Sequence, residues 1–193
     1  MKKIIVLVLA FAMVFTLCAC GSKKSAGMPN PIHECSREEL MEATGIVLDA
    51  PEGATDASYL YIDTDPRISQ VTFKLDGKEY CYRAQPTNAL SISSSANGTD
   101  ASGADLLKSL NDCTNVGAVL SGMHNEWKSA ALVDLASSRE GVVAFNDGKD
   151  GFIAWLDVVP GVLYSLSMDK DASQDLLMDT ADACFVPLQG EVG

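Results

Sequence analysis

The stretch ISQVTFKLDGKEYCYRA at residues 68–84 decides the fold, because it holds two alternating apolar runs joined by Asp76-Gly77. Asp-Gly is a dipeptide that a two-residue type I′ hairpin turn prefers. A turn of fixed length also sets the register of the two strands. The cross-strand pairs that it predicts are Leu75 with Lys78, Lys74 with Glu79, Phe73 with Tyr80, Thr72 with Cys81, and Val71 with Tyr82.

The predicted register gives the hairpin one apolar face and one polar face. The apolar face is predicted to belong to the core, and it consists of Val71, Phe73, Tyr80 and Tyr82. The polar face is predicted to contain a cross-strand ion pair between Lys74 and Glu79. Its full set is Thr72, Lys74, Glu79, Cys81 and Arg83.

Two helices and further strands are predicted around the hairpin. Ser36 and Glu39 form a capping box that starts a helix at residues 37–44, and Gly45 ends it. The side of this helix toward the core is predicted to hold Leu40, Met41 and Thr44. Strands are predicted at residues 59–62, 116–120, 130–136, 141–145, 152–158 and 162–168. A last helix is predicted to start within residues 169–173 and to bury Leu176, Leu177, Thr180, Ala181 and Cys184.

Sequential strands with short turns form antiparallel sheets. The predicted fold class is therefore α+β, with an antiparallel β-meander sheet packed by short N-terminal and C-terminal helices.

The first twenty residues predict a lipoprotein signal peptide. Lys2 and Lys3 precede an apolar run at residues 4–15, which is shorter than the roughly 20 residues of a bilayer-spanning helix. The ending Leu17-Cys18-Ala19-Cys20 is typical of a lipobox, in which the Cys20 thiol is diacylated and the chain is cut before it. Two acyl chains give stable anchoring. The alternative is an ordinary secretory signal that contains two cysteines.

This interpretation divides the chain into a signal peptide at residues 1–19, a lipid-anchored tether at 20–30 and a single α+β domain at 31–193. The predicted location is the extracytoplasmic face of the cell membrane. The formal net charge of −12 and the apolar fraction of 47% exclude nucleic-acid binding and intrinsic disorder as main interpretations. The predicted partners are the membrane, through lipid at Cys20, and an unknown protein, glycan or small ligand.

Four cysteines remain after processing: Cys35, Cys81, Cys113 and Cys184. An even number outside the membrane is consistent with two disulfides in any of three pairings. A Cys35–Cys184 bridge is conceivable if both helices cover one sheet face. The alternative is free, half-buried thiols. No C-x-x-C spacing occurs, which excludes a thioredoxin-like centre and a zinc ribbon.

Catalytic and metal-binding patterns are weak in this sequence. It contains no G-x-S-x-G, H-E-x-x-H, Walker or G-x-G-x-x-G motif. Only His33 and His124 could activate a cysteine thiol. Residues 146–157 partly match a calcium loop, but a plain hairpin turn fits them better. The sequence therefore predicts no catalytic residues, no cofactor and no metal site.

Aromatic residues offer a weak binding signal. Trp155, Tyr59, Tyr61 and Tyr164 occur at strand spacing and are assigned to the core. Trp127 and His124 lie in a stretch of loop character, and they are the predicted ligand contacts.

Several short motifs follow one another along the chain: Ala-Thr-Gly at 43–45, DAPEGA at 49–54, YCYRA at 80–84, FNDGK at 145–149, IAW at 153–155 and YSLS at 164–167. With these motifs the chain resembles a family of unknown function whose members are envelope lipoproteins and membrane-tethered proteins of Gram-positive bacteria, some of them beside anti-sigma-type regulators. The resemblance implies an α+β fold and a cell-surface setting. It implies no catalytic residues.

The predicted function is a lipid-anchored, non-catalytic binding or sensing module at the outer membrane surface of a Gram-positive-type cell. The alternative is an extracytoplasmic hydrolase or redox enzyme with a Cys/His or carboxylate site.

Overall fold

An antiparallel sheet of eight strands carries two short helices in the computed structural model, which describes residues 31–86, 129–136, 139–146, 148–157 and 161–185. The strands follow the order β1-β2-β3-β4-β8-β7-β6-β5 across the sheet. They are β1 (Ile32–Cys35), β2 (Thr55–Ile62), β3 (Ile68–Leu75), β4 (Lys78–Pro86), β5 (Ser129–Leu135), β6 (Arg139–Phe145), β7 (Gly151–Asp157) and β8 (Val162–Met168). The helices are α1 (Arg37–Thr44) and α2 (Gln174–Cys184). The predicted fold class is confirmed.

The hairpin β3–β4 has the predicted register at all five pairs. Asp76 and Gly77 have φ angles of 50° and 74°, as a type I′ turn requires. The apolar face is buried as predicted. The predicted ion pair between Lys74 and Glu79 is wrong, since the Lys74 ammonium lies 2.9 Å from a carboxylate oxygen of Asp56 on β2.

The edge beyond this hairpin is longer than predicted. β2 begins at Thr55, and β1, which was not predicted, pairs with it in antiparallel fashion. The four residues of β1 are exposed except for half-buried Cys35, so the strand lacks the apolar alternation that identifies a strand in a sequence. Pairing with β2 orders it.

The C-terminal strands form a second meander, β5-β6-β7-β8, close to the predicted bounds. The strand predicted at residues 116–120 lies outside the described residues. β8 pairs with β4, with Tyr82 opposite Leu166, and this pairing joins the two meanders at the middle of the sheet. The core cluster lies on the face that holds Tyr82 and Leu166, and it includes Leu40 of α1 and Leu177 of α2. Both helices therefore cover the same face.

Helix α1 has the predicted bounds and caps. The Ser36 hydroxyl accepts from the Glu39 amide at 3.2 Å, and the Glu39 carboxylate accepts from the Ser36 amide at 2.8 Å. Gly45 closes the helix with a φ of 72°. Leu40 is buried as predicted, whereas Met41 is 46% exposed. That part of the prediction is wrong, because one residue turns about 100° around a helix and leaves the core side.

Helix α2 begins after the N-cap Ser173, whose hydroxyl accepts from the Leu176 amide. Four residues of its predicted stripe are buried, and Leu176 packs against them half-buried; the four are Leu177, Thr180, Ala181 and Cys184. The helix contacts all four strands of the second meander. Its C-terminal end therefore lies above the aromatic residues of β7 and β8.

Among the described residues, no helix has the length and apolarity needed to cross a bilayer. The predicted signal peptide and tether lie outside the described residues.

Candidate binding site

Four aromatic rings form a cluster under the end of α2. Trp155 on β7 and Tyr164 on β8 are cross-strand neighbours, and their rings stack with centroids 5.5 Å apart. Tyr82 on β4 stacks on both, at 5.9 and 6.0 Å. Phe185, the C-cap residue of α2, meets Trp155 and Tyr164 edge-on, at 6.4 and 5.9 Å. Trp155 is 0% exposed and Tyr164 is 1% exposed, so the environment is largely apolar.

Arg139, at the start of β6, brings a positive charge to this cluster. Its Cζ atom lies 3.8 Å from the Phe185 ring centroid and 5.4 Å from that of Trp155. Its Nη2 atom is 2.6 Å from a carboxylate oxygen of Asp182 on α2, and its Nε donates to the Ala136 carbonyl at 3.0 Å. Burial lowers the pKa of Arg139, and the charge of Asp182 opposes this effect. The Arg139 side chain is 9% exposed, and its guanidinium stays charged.

Three buried polar atoms of this cluster have no hydrogen-bond partner in the described part of the chain: Arg139 Nη1, Trp155 Nε1 and the Tyr164 hydroxyl. Each of them can donate a hydrogen bond. A buried polar atom without a partner costs about 1 to 3 kcal/mol, and native proteins keep few of them. Three such atoms, all on side chains that contact the Phe185 ring, make this cluster the first candidate for a binding site.

The Tyr164 hydroxyl is protonated at neutral pH. Burial and, after it, the charge of Asp157 raise the pKa of Tyr164 to about 12, and the charge of Arg139 opposes them. Burial likewise raises the pKa of Tyr82 well above its ordinary value. Tyr164 can therefore act as a hydrogen-bond donor, but not as a base.

A second candidate is a groove beside the Asp76-Gly77 turn, with a volume of about 410 Å³. Charges of both signs line it: Lys78, Glu79, Asp169, Lys170 and Asp171. None of the five forms an ion pair with another described residue. The groove is therefore polar and open, in contrast to the buried cluster.

Cys81 lines this groove beside its cross-strand partner Ser167. Burial raises the pKa of the Cys81 thiol, and the charge of Arg83, with hydrogen bonds from Arg83 and Ser167, only partly offsets that effect. The thiolate is the nucleophilic form of cysteine. Cys81 is therefore poorly suited to nucleophilic catalysis at neutral pH.

The predicted disulfide residues are free wherever the structure describes them. Cys35, Cys81 and Cys184 form no bridge, so the conceivable Cys35–Cys184 bridge is absent. Cys35 lies on β1, whereas Cys184 packs near Tyr82 on β4, three strands away. Three strand spacings are about 14 Å, and a disulfide needs Cα atoms within about 7 Å. Cys113 lies outside the described residues.

The other predicted contact residues are only partly described. Trp127, His124 and the lipid-attachment residue Cys20 lie outside the described residues. His33 is described, and its ring stacks on Tyr61 at 4.8 Å at the exposed edge of the sheet. Tyr59 and Tyr61 pack half-buried against the core, which agrees with their assignment.

The stretch that resembles a calcium loop is a hairpin connection between β6 and β7. The Asn146 amide donates to the Asp150 carbonyl and the Lys149 amide donates to the Asn146 carbonyl, both at 2.8 Å. Within the described ranges, no group of three or more His, Cys, Asp or Glu side chains is arranged to hold a metal ion.

Sequence reasoning missed Arg139 and Phe185. Arg139 lies on the same face of β6 as Gly141, Val143 and Phe145. A charged residue at a core-facing position is the signal that could have identified it. Its partner Asp182 is 43 residues away, and no local pattern connects the two.

Comparison of the chain with known protein families, with curated proteins and with solved structures finds no match. The resemblance to a lipoprotein family of unknown function therefore stays a prediction.

Proposed function

We propose that the protein is a lipid-anchored envelope lipoprotein whose folded unit is a non-catalytic binding module. The anchor is proposed from the sequence Leu17-Cys18-Ala19-Cys20 after a short apolar run. The observation that carries the binding role is the set of three unpartnered, buried donors of Arg139, Trp155 and Tyr164. The extracytoplasmic face of the membrane is the corresponding location.

The chemistry of the site favours binding over turnover. Arg139 and protonated Tyr164 hold their protons at neutral pH, and an indole N–H only donates. General-base or nucleophilic catalysis needs a group that gains or loses a proton near the working pH, or an activated nucleophile. The cluster can therefore orient an acceptor group without reacting with it.

The anchor is tested by expressing the full chain in a Gram-positive host and analysing the N-terminus of the product by mass spectrometry. We expect a chain that begins at a diacylated Cys20 and partitions into detergent. Cys20→Ala should abolish both properties, whereas Cys18→Ala should leave both intact. An unmodified residue 20 in the native product would refute the anchor.

The binding role is tested by thermal unfolding of the full chain with a panel of peptides, oligosaccharides and small molecules. A ligand present at 100 times its Kd stabilises the folded state by about 2.7 kcal/mol, so a bound compound raises Tm measurably. Mass analysis of the same mixtures should find the compounds unchanged. Conversion of a stabilising compound to a product would contradict the non-catalytic assignment.

A further inference from the structure

β5 is the end strand of the described sheet. It pairs with β6 over all seven residues, from Ser129 with Phe145 to Leu135 with Arg139. No described strand lies on its other side. In an antiparallel pair, every second residue directs its backbone N–H and C=O groups away from the partner strand. Along the outer edge of β5, a row of backbone groups therefore remains without a strand partner in the described part of the chain.

The usual protections of an edge strand are weak in β5. Proteins protect such edges with short strands, β-bulges, prolines and charged side chains, lysine above all. β5 is seven residues long, and its register with β6 runs without a bulge. Its sequence SAALVDL contains no proline, lysine or arginine. The opposite edge of the sheet differs, because β1 has only four residues. β5 is therefore the edge better suited to accept a further strand.

The side chains of β5 are anchored on one face of the sheet and exposed on the other. Val133 and Leu135 are buried in the core, at 8% and 5% exposure. Leu132 and Asp134 alternate with them and point to the opposite face. Leu132 is 47% exposed, although it is a large apolar residue. A strand added at this edge would therefore find an apolar side chain to pack on as well as backbone groups to pair with.

Two carboxylates beside this edge have no cation. Asp134 and Glu140 lie directly opposite each other in the β5–β6 ladder, and both are exposed. Neither forms an ion pair with another described residue. Like charges directly opposite each other destabilise a pair of strands. A lysine or arginine on a third strand, next to Asp134, would replace this repulsion with attraction.

A second copy of the chain supplies that cation poorly. If β5 paired with itself in antiparallel fashion about Leu132, Asp134 would lie beside Ala130 of the other copy. The net charge of −12 also opposes self-association. A segment of a different protein, with a basic residue two positions from an apolar one, matches both Leu132 and Asp134, because residues two apart share a strand face.

We propose that β5 binds an extended segment of a partner protein as an additional strand, with an apolar side chain next to Leu132 and a lysine or arginine next to Asp134. Main-chain hydrogen bonds supply the affinity in this mode of recognition, and the side chains supply the selectivity. Arg139 and Glu140 are consecutive residues of β6, so they point to opposite faces of the sheet. The proposed surface is therefore separate from the Arg139 cluster.

Short peptides of alternating sequence test the proposal on the full chain in detergent. The first probe is the capped peptide Thr-Lys-Thr-Val-Thr-Val-Thr, in which a valine can meet Leu132 while the lysine meets Asp134. The second probe has glutamate in place of lysine. Two further versions of the first probe are N-methylated, one at the threonines and one at the lysine and valines. Each removes the N–H groups of one edge of the peptide strand.

We expect the Kd of the lysine peptide, measured by fluorescence anisotropy, to be about threefold to tenfold lower than that of the glutamate peptide. The reason is that a favourable cross-strand charge pair replaces an unfavourable one. One methylated version should bind like the unmethylated peptide, and the other should not bind. Hydrogen exchange followed by mass spectrometry should slow at residues 129–135 when the lysine peptide is added.

Two variants at exposed positions test the side-chain contacts. Asp134→Lys should reverse the preference between the lysine and glutamate peptides, and Leu132→Ser should weaken both about threefold. Exposed residues tolerate such changes, so both variants should fold. The matched control is Glu52→Lys, which makes the same change of charge in the exposed turn before β2 and should leave the preference for the lysine peptide unchanged.

Equal binding of the lysine and glutamate peptides, equal binding of the two methylated versions, or no binding of any peptide would overturn the proposal. Exchange at residues 129–135 that slows as the chain alone is concentrated would assign this edge to a second copy, and would overturn it as well. If compounds from the panel raise Tm while every peptide leaves exchange at residues 129–135 unchanged, the proposal fails and the binding function of the Arg139 cluster stands.

Discussion

The two halves of the sheet use the same three residue types in opposite ways. In the N-terminal half, Asp49 accepts from Arg37 Nε at 2.6 Å, from the Tyr59 hydroxyl at 2.8 Å and from the Ala50 amide at 3.1 Å. The side chains of Arg37 and Asp49 are 45% and 36% exposed. Both carboxylate oxygens are used, and water reaches the charges.

In the C-terminal half, Arg139, Asp182 and Tyr164 form the corresponding set under α2. The Arg139 side chain is 9% exposed, the Tyr164 hydroxyl does not reach Asp182, and Arg139 Nη1 and the hydroxyl have no partner in the described residues. The same chemistry is thus satisfied near solvent and left unsatisfied in the core. Residue types alone therefore do not tell whether a polar set is satisfied; burial and the position of the partners decide it.

The largest difference between the two halves should be the loss of stability when the aspartate of each set, Asp182 or Asp49, is replaced by alanine. Asp182→Ala leaves the Arg139 charge poorly compensated in a mostly buried place and removes the acceptor of the Ala136 amide. We expect it to lower the free energy of unfolding by about 3 kcal/mol, against about 1 kcal/mol for Asp49→Ala. Urea unfolding of both variants measures this, and equal losses would remove the contrast.

Alkaline pH should destabilise the protein mainly through groups in the C-terminal half of the sheet. Burial raises the pKa of Cys184 to about 12, and that of Tyr164 is also about 12. Both groups are neutral when protonated, and their pKa is higher in the folded chain than in the unfolded one. Their contribution to the free energy of unfolding is therefore fully present below pH 9 and is lost as the pH rises from 9 to 12.

From Cys184 we expect a loss of about 3 kcal/mol in the free energy of unfolding at pH 11, measured by urea unfolding. Cys184→Ala should flatten this dependence, whereas Cys35→Ala, at a half-buried thiol, should leave most of it. A flat profile in the unmodified protein would show that the Cys184 thiol is accessible to water.

The two tyrosines should respond to loss of the hydroxyl with opposite signs. Tyr59→Phe breaks the bond to Asp49 and should lower the free energy of unfolding by about 1 kcal/mol. Tyr164→Phe removes a buried polar atom without a partner, so stability should stay the same or rise by up to about 1 kcal/mol. Thermal unfolding without ligand tests this, and a loss at Tyr164 as large as that at Tyr59 would mean that its hydroxyl has a partner.

Salt should produce the smallest change in stability, and that change should come from the ion pair of the N-terminal half only. The exposed Arg37–Asp49 pair contributes about 0.5 kcal/mol at low salt and less at about 1 M, where screening is strong. Arg37→Ala should therefore cost less at high salt. The cost of Asp182→Ala should change little between the two conditions, because that pair is better shielded from solvent.

Most of the fold could be predicted because its signals are local. The Asp76-Gly77 turn sets five cross-strand pairs, and Ser36, Glu39 and Gly45 define both ends of α1 within ten positions. β1 could not be predicted, since its order comes from pairing with β2 and not from its own residues.

The candidate site could be predicted only in part. The strand spacing of Trp155 and Tyr164 predicts that they belong to the core, and both are buried there. Whether their polar atoms have partners depends on where α2 places Phe185 and Asp182, and that position is set by packing between residues distant in the chain. Trp127 and His124 remain predictions.

The pairing of β4 with β8 has a consequence for the order of folding. Within each meander the neighbouring strands are close in the chain, whereas Cys81 and Ser167 at the junction are 86 positions apart. Closing a long loop costs more chain entropy than closing a hairpin, so contacts of high sequence separation slow folding. We expect the hairpin at Asp76-Gly77 to form early and the two meanders to associate in the rate-limiting step, so that truncating Leu166 slows refolding more than truncating Leu75.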